Sequence, residues 1–165
     1  MKLKKALREL KKARVLNHKV LFLIIFLPLN IFAKYLIFSE EFKSFIVLSA
    51  STDEEKSRGL MFKKKLSNSN GMIFFYKKPK IVNFWMKNTF IPLEIIFINS
   101  EKRIISIKNG VPFSKTNISS DFPVIAVIEV PKNCSKKIGI KVGDKLSWSK
   151  IKYEEESKKY LPCIK

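Results

Sequence analysis

The sequence has a single histidine, His18, and it precedes a long apolar run. A domain that begins after that run contains no imidazole. This removes Ser-His-Asp and Cys-His nucleophilic machinery, His-ligated zinc and the usual proton shuttle near neutral pH. Cysteine is scarce as well. Cys134 and Cys163 are the two copies, the minimum for a disulfide, and they form neither a CxxC pair nor a zinc-ligand array. The sequence leaves open whether they bridge. The five glycines build no phosphate-cradling loop. Any catalysis therefore rests on Asp, Glu, Lys, Arg, Tyr or Cys, and neither a metal site nor a cofactor is expected.

Acidic residues are also few, 14 against 33 Lys and Arg, for a net charge of +19. Residues 1–33 hold eight of the basic and one of the acidic residues, leaving 25 against 13, or +12. The first reading of this excess is a solvated, Lys-rich surface. The alternative is lipid or nucleic-acid binding, which would weaken steeply with salt. Nucleic acid is not an expected partner.

What is present begins with MKLKKALRELKKARVLNHK, followed by VLFLIIFLPLNIFA. Val20 to Ala33 is a run of fourteen uncharged residues. That is the length of a signal-peptide core and shorter than a membrane span, which needs about twenty residues. Ala33 is a small residue at a possible cleavage point, although Ile31 fits an A-x-A pattern poorly. Read through Lys34 into YLIF, the same run becomes an uncleaved anchor. Residues 1–33 are thus expected to be a signal peptide or N-terminal membrane anchor. If uncleaved, residues 20–33 would sit in the inner membrane. The remainder would be exported, either periplasmic or anchored facing the periplasm.

The rest reads as strands. Phe42 to Ala50 has β-branched and aromatic content. STDEEKSRG then offers capping-box spacings, Thr52 with Glu55 and Ser51 with Glu54, with Arg58 in the last turn and Gly59 at C′. Gly71–Tyr76 is a strand and KKPK a loop. IVNFWM is a strand closed by a Lys87-Asn88-Thr89 turn, with Pro92 marking an edge or bend. LEIIFI, NSEK and RIISI form the clearest hairpin. Asn109-Gly110 signals a turn, Val124–Val130 a buried strand, and Gly143-Asp144 a turn before the last strand. The expectation is a mainly-β, compact barrel- or sandwich-like domain over residues 42–148, with about seven strands and one short helix. A charged tail, 149–165, follows it.

RGLM at 58–61, NGMIFFY at 70–76, FWMKNTFIPLEIIFI at 84–98, VIAVIEV at 124–130 and IGIKVGD at 138–144 occur in a distinctive order. In that order they resemble the domain of unknown function 192 family, over residues 42–148. The resemblance implies a compact, mostly-β fold with a short helix, often exported in bacteria, whose activity is not established. Two departures stand out. The family's usual Asp after Pro-Leu is Glu94 here, and the segment before the final Gly-Ile and Gly-Asp, which usually carries a Gly, reads PKNCSKK.

Several residues have both a structural and a functional reading. Arg58 suits a helix C-terminus or a bidentate fork for an anion. Strand alternation puts Glu94 on the face of Ile96 and Ile98, where a half-buried carboxylate needs a partner. It would serve as a salt link, a ligand group or an acid/base. Glu129 has a similar position, and the two together would make a glycosidase-like pair. Trp85 is either core or a stacking platform. Asn88 and Thr89 suit a tight turn or a polar ligand, with Lys87 beside them. Met61, Met72 and Met86 read as gap-filling core residues before they read as Cu(I) ligands. Asp144 reads as a turn residue. The ligand-binding candidates are Arg58, Trp85, Lys87, Asn88, Thr89 and Glu94, with Glu94 the catalytic candidate. The expected role is an envelope binding or accessory module for a polar or anionic ligand. The alternative is a carboxylate-based hydrolase or lyase acting on envelope glycans.

Overall fold

A computed structural model describes residues 32–39, 44–66, 68–151 and 160–163. Most of the expected leader or anchor, residues 1–31, lies outside the described residues. Among the described residues, no helix is long and apolar enough to cross a membrane.

The chain runs through β1 (Lys34–Phe38), β2 (Phe45–Ala50), α1 (Asp53–Arg58), β3 (Met72–Lys80), β4 (Asn83–Phe84) and β5 (Leu93–Ile98). It continues through β6 (Ile104–Gly110), β7 (Ile118–Ser119), β8 (Val124–Pro131), α2 (Cys134–Ile138) and β9 (Ser147–Lys150). A curled seven-stranded sheet has the order β6-β5-β8-β3-β2-β1-β9, and β4 pairs with β7 separately. The mainly-β expectation holds. Within the sheet β2 and β3 are parallel, and α1 lies in the crossover between them.

Local chemistry explains α1. The Glu55 N–H donates to Thr52 Oγ1 at 3.1 Å, while Glu55 Oε2 accepts from the N–H groups of Thr52 and Ser51 at 3.0 and 2.7 Å. This is the reciprocal capping box, and it holds the Glu55 carboxyl below its ordinary range through those backbone bonds. Gly59 ends the helix at φ 49, a positive value that favours glycine. The β5–β6 hairpin forms as expected, with Ile96 opposite Ile107.

Both faces of the sheet are buried. Phe45, Ile73, Ile96 and Ile128 pack on one face, and Met72, Phe74, Ile95 and Phe97 on the other. Each fully buried large side chain contributes about 1.5–3 kcal/mol. Gly71 is required by a close approach, since a Cβ there would stand 1.8 Å from the Glu129 carbonyl oxygen.

Several local expectations are corrected. Lys34–Phe38, read as a possible extension of an anchor, is a sheet strand between β2 and β9. KKPK continues β3, with a register shift between Phe75 and Lys80. IVNFWM supplies only the two residues of β4. Asn109-Gly110 ends β6 rather than turning, and a Cβ on Gly110 would lie 2.4 Å from Met86 Sδ. PKNCSKKI contains α2, which the sequence reading missed.

The supposed tail is also anchored. Ser149 and Lys150 belong to β9, and Cys163 is bonded to Cys134 with a Cα separation of 5.4 Å. Fully buried Asn70 clamps the same segment. Its Nδ2 donates to the carbonyls of Ile46 and Tyr160 at 3.2 and 2.6 Å, and its Oδ1 accepts the Cys163 N–H at 3.0 Å. Because the bridge closes a loop between residues 29 apart, Cys163→Ser is expected to cost about 3 kcal/mol, read from urea unfolding. An unchanged midpoint would show that the bridge does not constrain the unfolded chain.

Candidate functional site

Strand parity sorts the two carboxylates suspected of acting together. In the β5–β8 pairing Ile95 faces Glu129, while Glu94 faces Val130. Directly paired residues share a face and neighbours alternate, so Glu94 and Glu129 lie on opposite faces of the sheet. A shared catalytic cleft is thereby removed, and with it the glycosidase-like pair.

Glu94 is committed to structure. Its Oε1 accepts the Asn133 N–H at 3.0 Å and its Oε2 the Ser135 N–H at 2.9 Å. Asn133 caps α2 without a side-chain bond, so Glu94 satisfies these orphan amides from a distant strand. With each oxygen accepting a backbone amide, this geometry gives no support to its expected catalytic and ligand-binding roles. The carboxylate also sits favourably at the positive end of the short helix.

Glu129 is the carboxyl without a counterpart. It is buried, and its Oε2 has no hydrogen-bond partner. Loss of hydration raises its pKa to about 8, with the Leu60 N–H pulling weakly the other way. At neutral pH it is mainly a neutral acid. It lies on the wall of a cavity of about 420 Å³, and Gly59 closes over it. A Cβ on Gly59 would stand 3.3 Å from Glu129 Oε2.

The same cavity is lined by Lys56 and Arg58 of α1, Lys80 and Tyr76 of β3, and Trp85 and Thr89. The Nζ atoms of Lys56 and Lys80 lie 5.6 and 4.8 Å from the Tyr76 ring centroid. The aromatic face thus holds both ammonium groups at the mouth. Burial, and secondarily the Glu129 charge, pushes the Tyr76 phenol up to about 12. Among the described residues neither Lys56, Arg58 nor Lys80 forms a salt bridge. Asp53 is also on the wall, and it is exposed.

The structure therefore divides the expected cluster. Arg58, Trp85 and Thr89 come together in the cavity; Lys87, Asn88 and Glu94 do not line it. Trp85 is 49% exposed, so it is no core residue. Lys87 sits over its ring at 5.6 Å. Asn88 occupies a left-handed turn position at φ 55, and Thr89 Oγ1 donates to the Lys87 carbonyl at 3.2 Å. Met72 and Met86 are fully buried packing groups, while Met61 reaches the cavity wall. Asp144 is a turn residue whose Oδ2 accepts the Lys141 N–H. No group of three or more His, Cys, Asp or Glu side chains that could hold a metal ion occurs among the described residues. Sequence reading missed Lys56, Tyr76 and Lys80, and it weighed Glu129 only as a partner for Glu94.

A family profile described as DUF192, Uncharacterized ACR, matches residues 36–148. No curated protein matches the chain. Two solved structures are similar. One is a Sinorhizobium meliloti 1021 protein carrying the provisional name of transcription regulator, with TM-score 0.63 and 30% identity over 70% of this chain and 92% of that one. The other is a Novosphingobium aromaticivorans DSM 12444 protein of unknown function, with TM-score 0.64 and 34% identity over 74% of this chain and 90% of that one.

Two predictions follow from the separation of the carboxyls. Glu94→Ala orphans two amides, and a loss of about 1–3 kcal/mol in unfolding free energy is expected. For Glu129, the folded state holds its proton more tightly than the unfolded chain. Its stabilising contribution is complete below about pH 4.5 and is lost as pH rises through about 8. Denaturant titrations across that window should show stability falling with pH, and Glu129→Gln should remove this component of the slope. An identical slope in the variant would assign it to other groups.

Proposed function

The chain belongs to the domain of unknown function 192 family, and on that premise we propose that it is an exported binding or accessory module of the cell envelope whose cavity takes a polar, anionic ligand. The observation that carries this reading is the imbalance of the cavity. Lys56, Arg58 and Lys80 form no salt bridge among the described residues, and they share the wall with exposed Asp53 and with a buried carboxyl whose Oε2 is unsatisfied. An entering carboxylate or phosphate oxygen would accept from the Arg58 fork, and the neutral Glu129 acid on the same wall would not oppose it. The half-exposed Trp85 ring offers a flat wall for a sugar or other planar portion.

Export is supported by the basic-then-apolar leader in the sequence and by the Cys134–Cys163 bridge, a bond that persists in oxidising compartments. The binding reading needs no second catalytic carboxylate. A hydrolase or lyase acting on envelope glycans would have to work with Glu129 and the exposed Asp53 of the same wall, without Glu94.

Thermal unfolding with inorganic phosphate, citrate, a hexuronic acid and uncharged glucose tests the proposal. At low salt the anions are expected to stabilise the protein, by about 2.7 kcal/mol at a hundredfold excess over Kd, and glucose is not. Arg58→Ala should weaken the effect. Raising pH through about 8 should do likewise, because ionised Glu129 would repel the ligand. Glu129→Gln should abolish that pH step while keeping a donor. Equal shifts with glucose and the anions, or none with any of them, would overturn the reading.

A further inference from the structure

The Lys87-Asn88-Thr89 turn joins three loops. Asn88 O accepts the Phe62 N–H at 2.8 Å, Thr89 O accepts the Phe113 N–H at 3.3 Å, and Ser114 O accepts the Met86 N–H at 2.9 Å. These bonds gather the segments 59–66, 85–92 and 111–117 around one point. Phe62 and Phe113 both adopt φ 63, a strained value for bulky residues. Neither gains burial in return, since they are 61 and 57% exposed. Phe90 meets Phe113 edge-to-face at 5.1 Å, and Phe90 and Val111 are exposed as well. The fold thus holds large apolar side chains outward on backbone it has to constrain.

The surrounding charge indicates what such a surface would meet. The three segments contain Lys63, Lys64, Lys65, Lys87 and Lys115 and no Asp or Glu. We propose that this face, led by Phe62, Phe90 and Phe113 with their lysine collar, docks on an anionic lipid bilayer, the rings entering the headgroup boundary. Aromatic residues prefer that depth, and lysines around them would pair with a continuous layer of negative headgroups. Trp85 lies on the cavity wall beside Lys87 of the same collar, so docking would bring the cavity mouth close to the membrane surface. The inference does not depend on what the cavity binds.

The full chain carries its own apolar N-terminal run, so flotation with vesicles alone does not report on this face. Trp85 does. The full chain, as Trp148→Phe, is mixed with vesicles of phosphatidylcholine and phosphatidylglycerol bearing brominated acyl chains, and Trp85 emission is recorded. Quenching and a blue shift are expected with the anionic vesicles, with little change in pure phosphatidylcholine. Lys64→Gln with Lys65→Gln should raise the lipid needed roughly thirtyfold. Combined Phe62→Ser, Phe90→Ser and Phe113→Ser should abolish the quenching. Arg58→Ala, which acts in the cavity, should not. If Trp148→Phe fails to fold, the signal is read as the difference between the unsubstituted chain and Trp85→Phe. Unquenched Trp85 in a chain that floats would overturn the proposal. So would quenching lost with Arg58→Ala but kept in the triple Ser variant, which would assign lipid contact to the cavity. A Trp85 shift that grows with protein concentration without lipid would instead assign the face to a second copy of the chain.

Discussion

The contact between Gly71 and the Glu129 carbonyl sets the geometry of the rest. With no side chain at 71, the start of β3 can lie against β8, placing Met72 directly opposite Glu129. That register turns the Glu129 side chain toward the face that α1 covers. A carboxyl so placed loses its water and gains little in exchange, which is why it holds its proton to about pH 8. Because it is neutral, it adds no negative charge to the wall that it shares with Lys56, Arg58 and Lys80.

The two faces of the sheet divide the work. On one, Glu94 caps α2, and α2 carries Cys134, whose bridge to Cys163 holds the last described residues down. Both Glu94 oxygens there are matched by backbone amides. On the other, the β2–α1–β3 crossover brings Gly59 over Glu129 and sets its basic residues around Tyr76. There the polar groups are left incompletely matched. Burying a mismatched carboxyl costs stability, so the two faces differ in how their polar groups are balanced.

Much of the fold was legible because its causes are local. The Thr52–Glu55 capping box, the β5–β6 hairpin and the apolar run of β8 each depend on neighbours within a few residues. What stayed hidden depends on distant partners. The amides of α2 are satisfied by a carboxyl 39 and 41 residues away, and the Asn133 side chain before Cys134 makes no capping bond. Gly110 resembles a turn residue, yet it is glycine because Met86 occupies its Cβ position. β1 was masked by the apolar leader that runs into it. The site was half legible for the same reason. Arg58, Trp85 and Thr89 were found by residue type, but choosing between Glu94 and Glu129 required knowing that β5 and β8 are neighbours in a particular register.

The absence of histidine after His18 acquires a physical meaning here. A protein needing a group that exchanges a proton near neutrality ordinarily uses imidazole. This chain obtains a group of similar range by stripping water from a carboxyl, and the resulting acid differs in one respect. Imidazole becomes positive when it takes up its proton and would add to the repulsion among Lys56, Arg58 and Lys80, whereas Glu129 becomes neutral. Protonated, it leaves the positive field of the cavity intact; ionised, it would cancel part of that field. In the proposed anion-binding role, a single buried carboxyl on a wall with three cations would couple anion affinity to pH in one direction, weaker as pH rises.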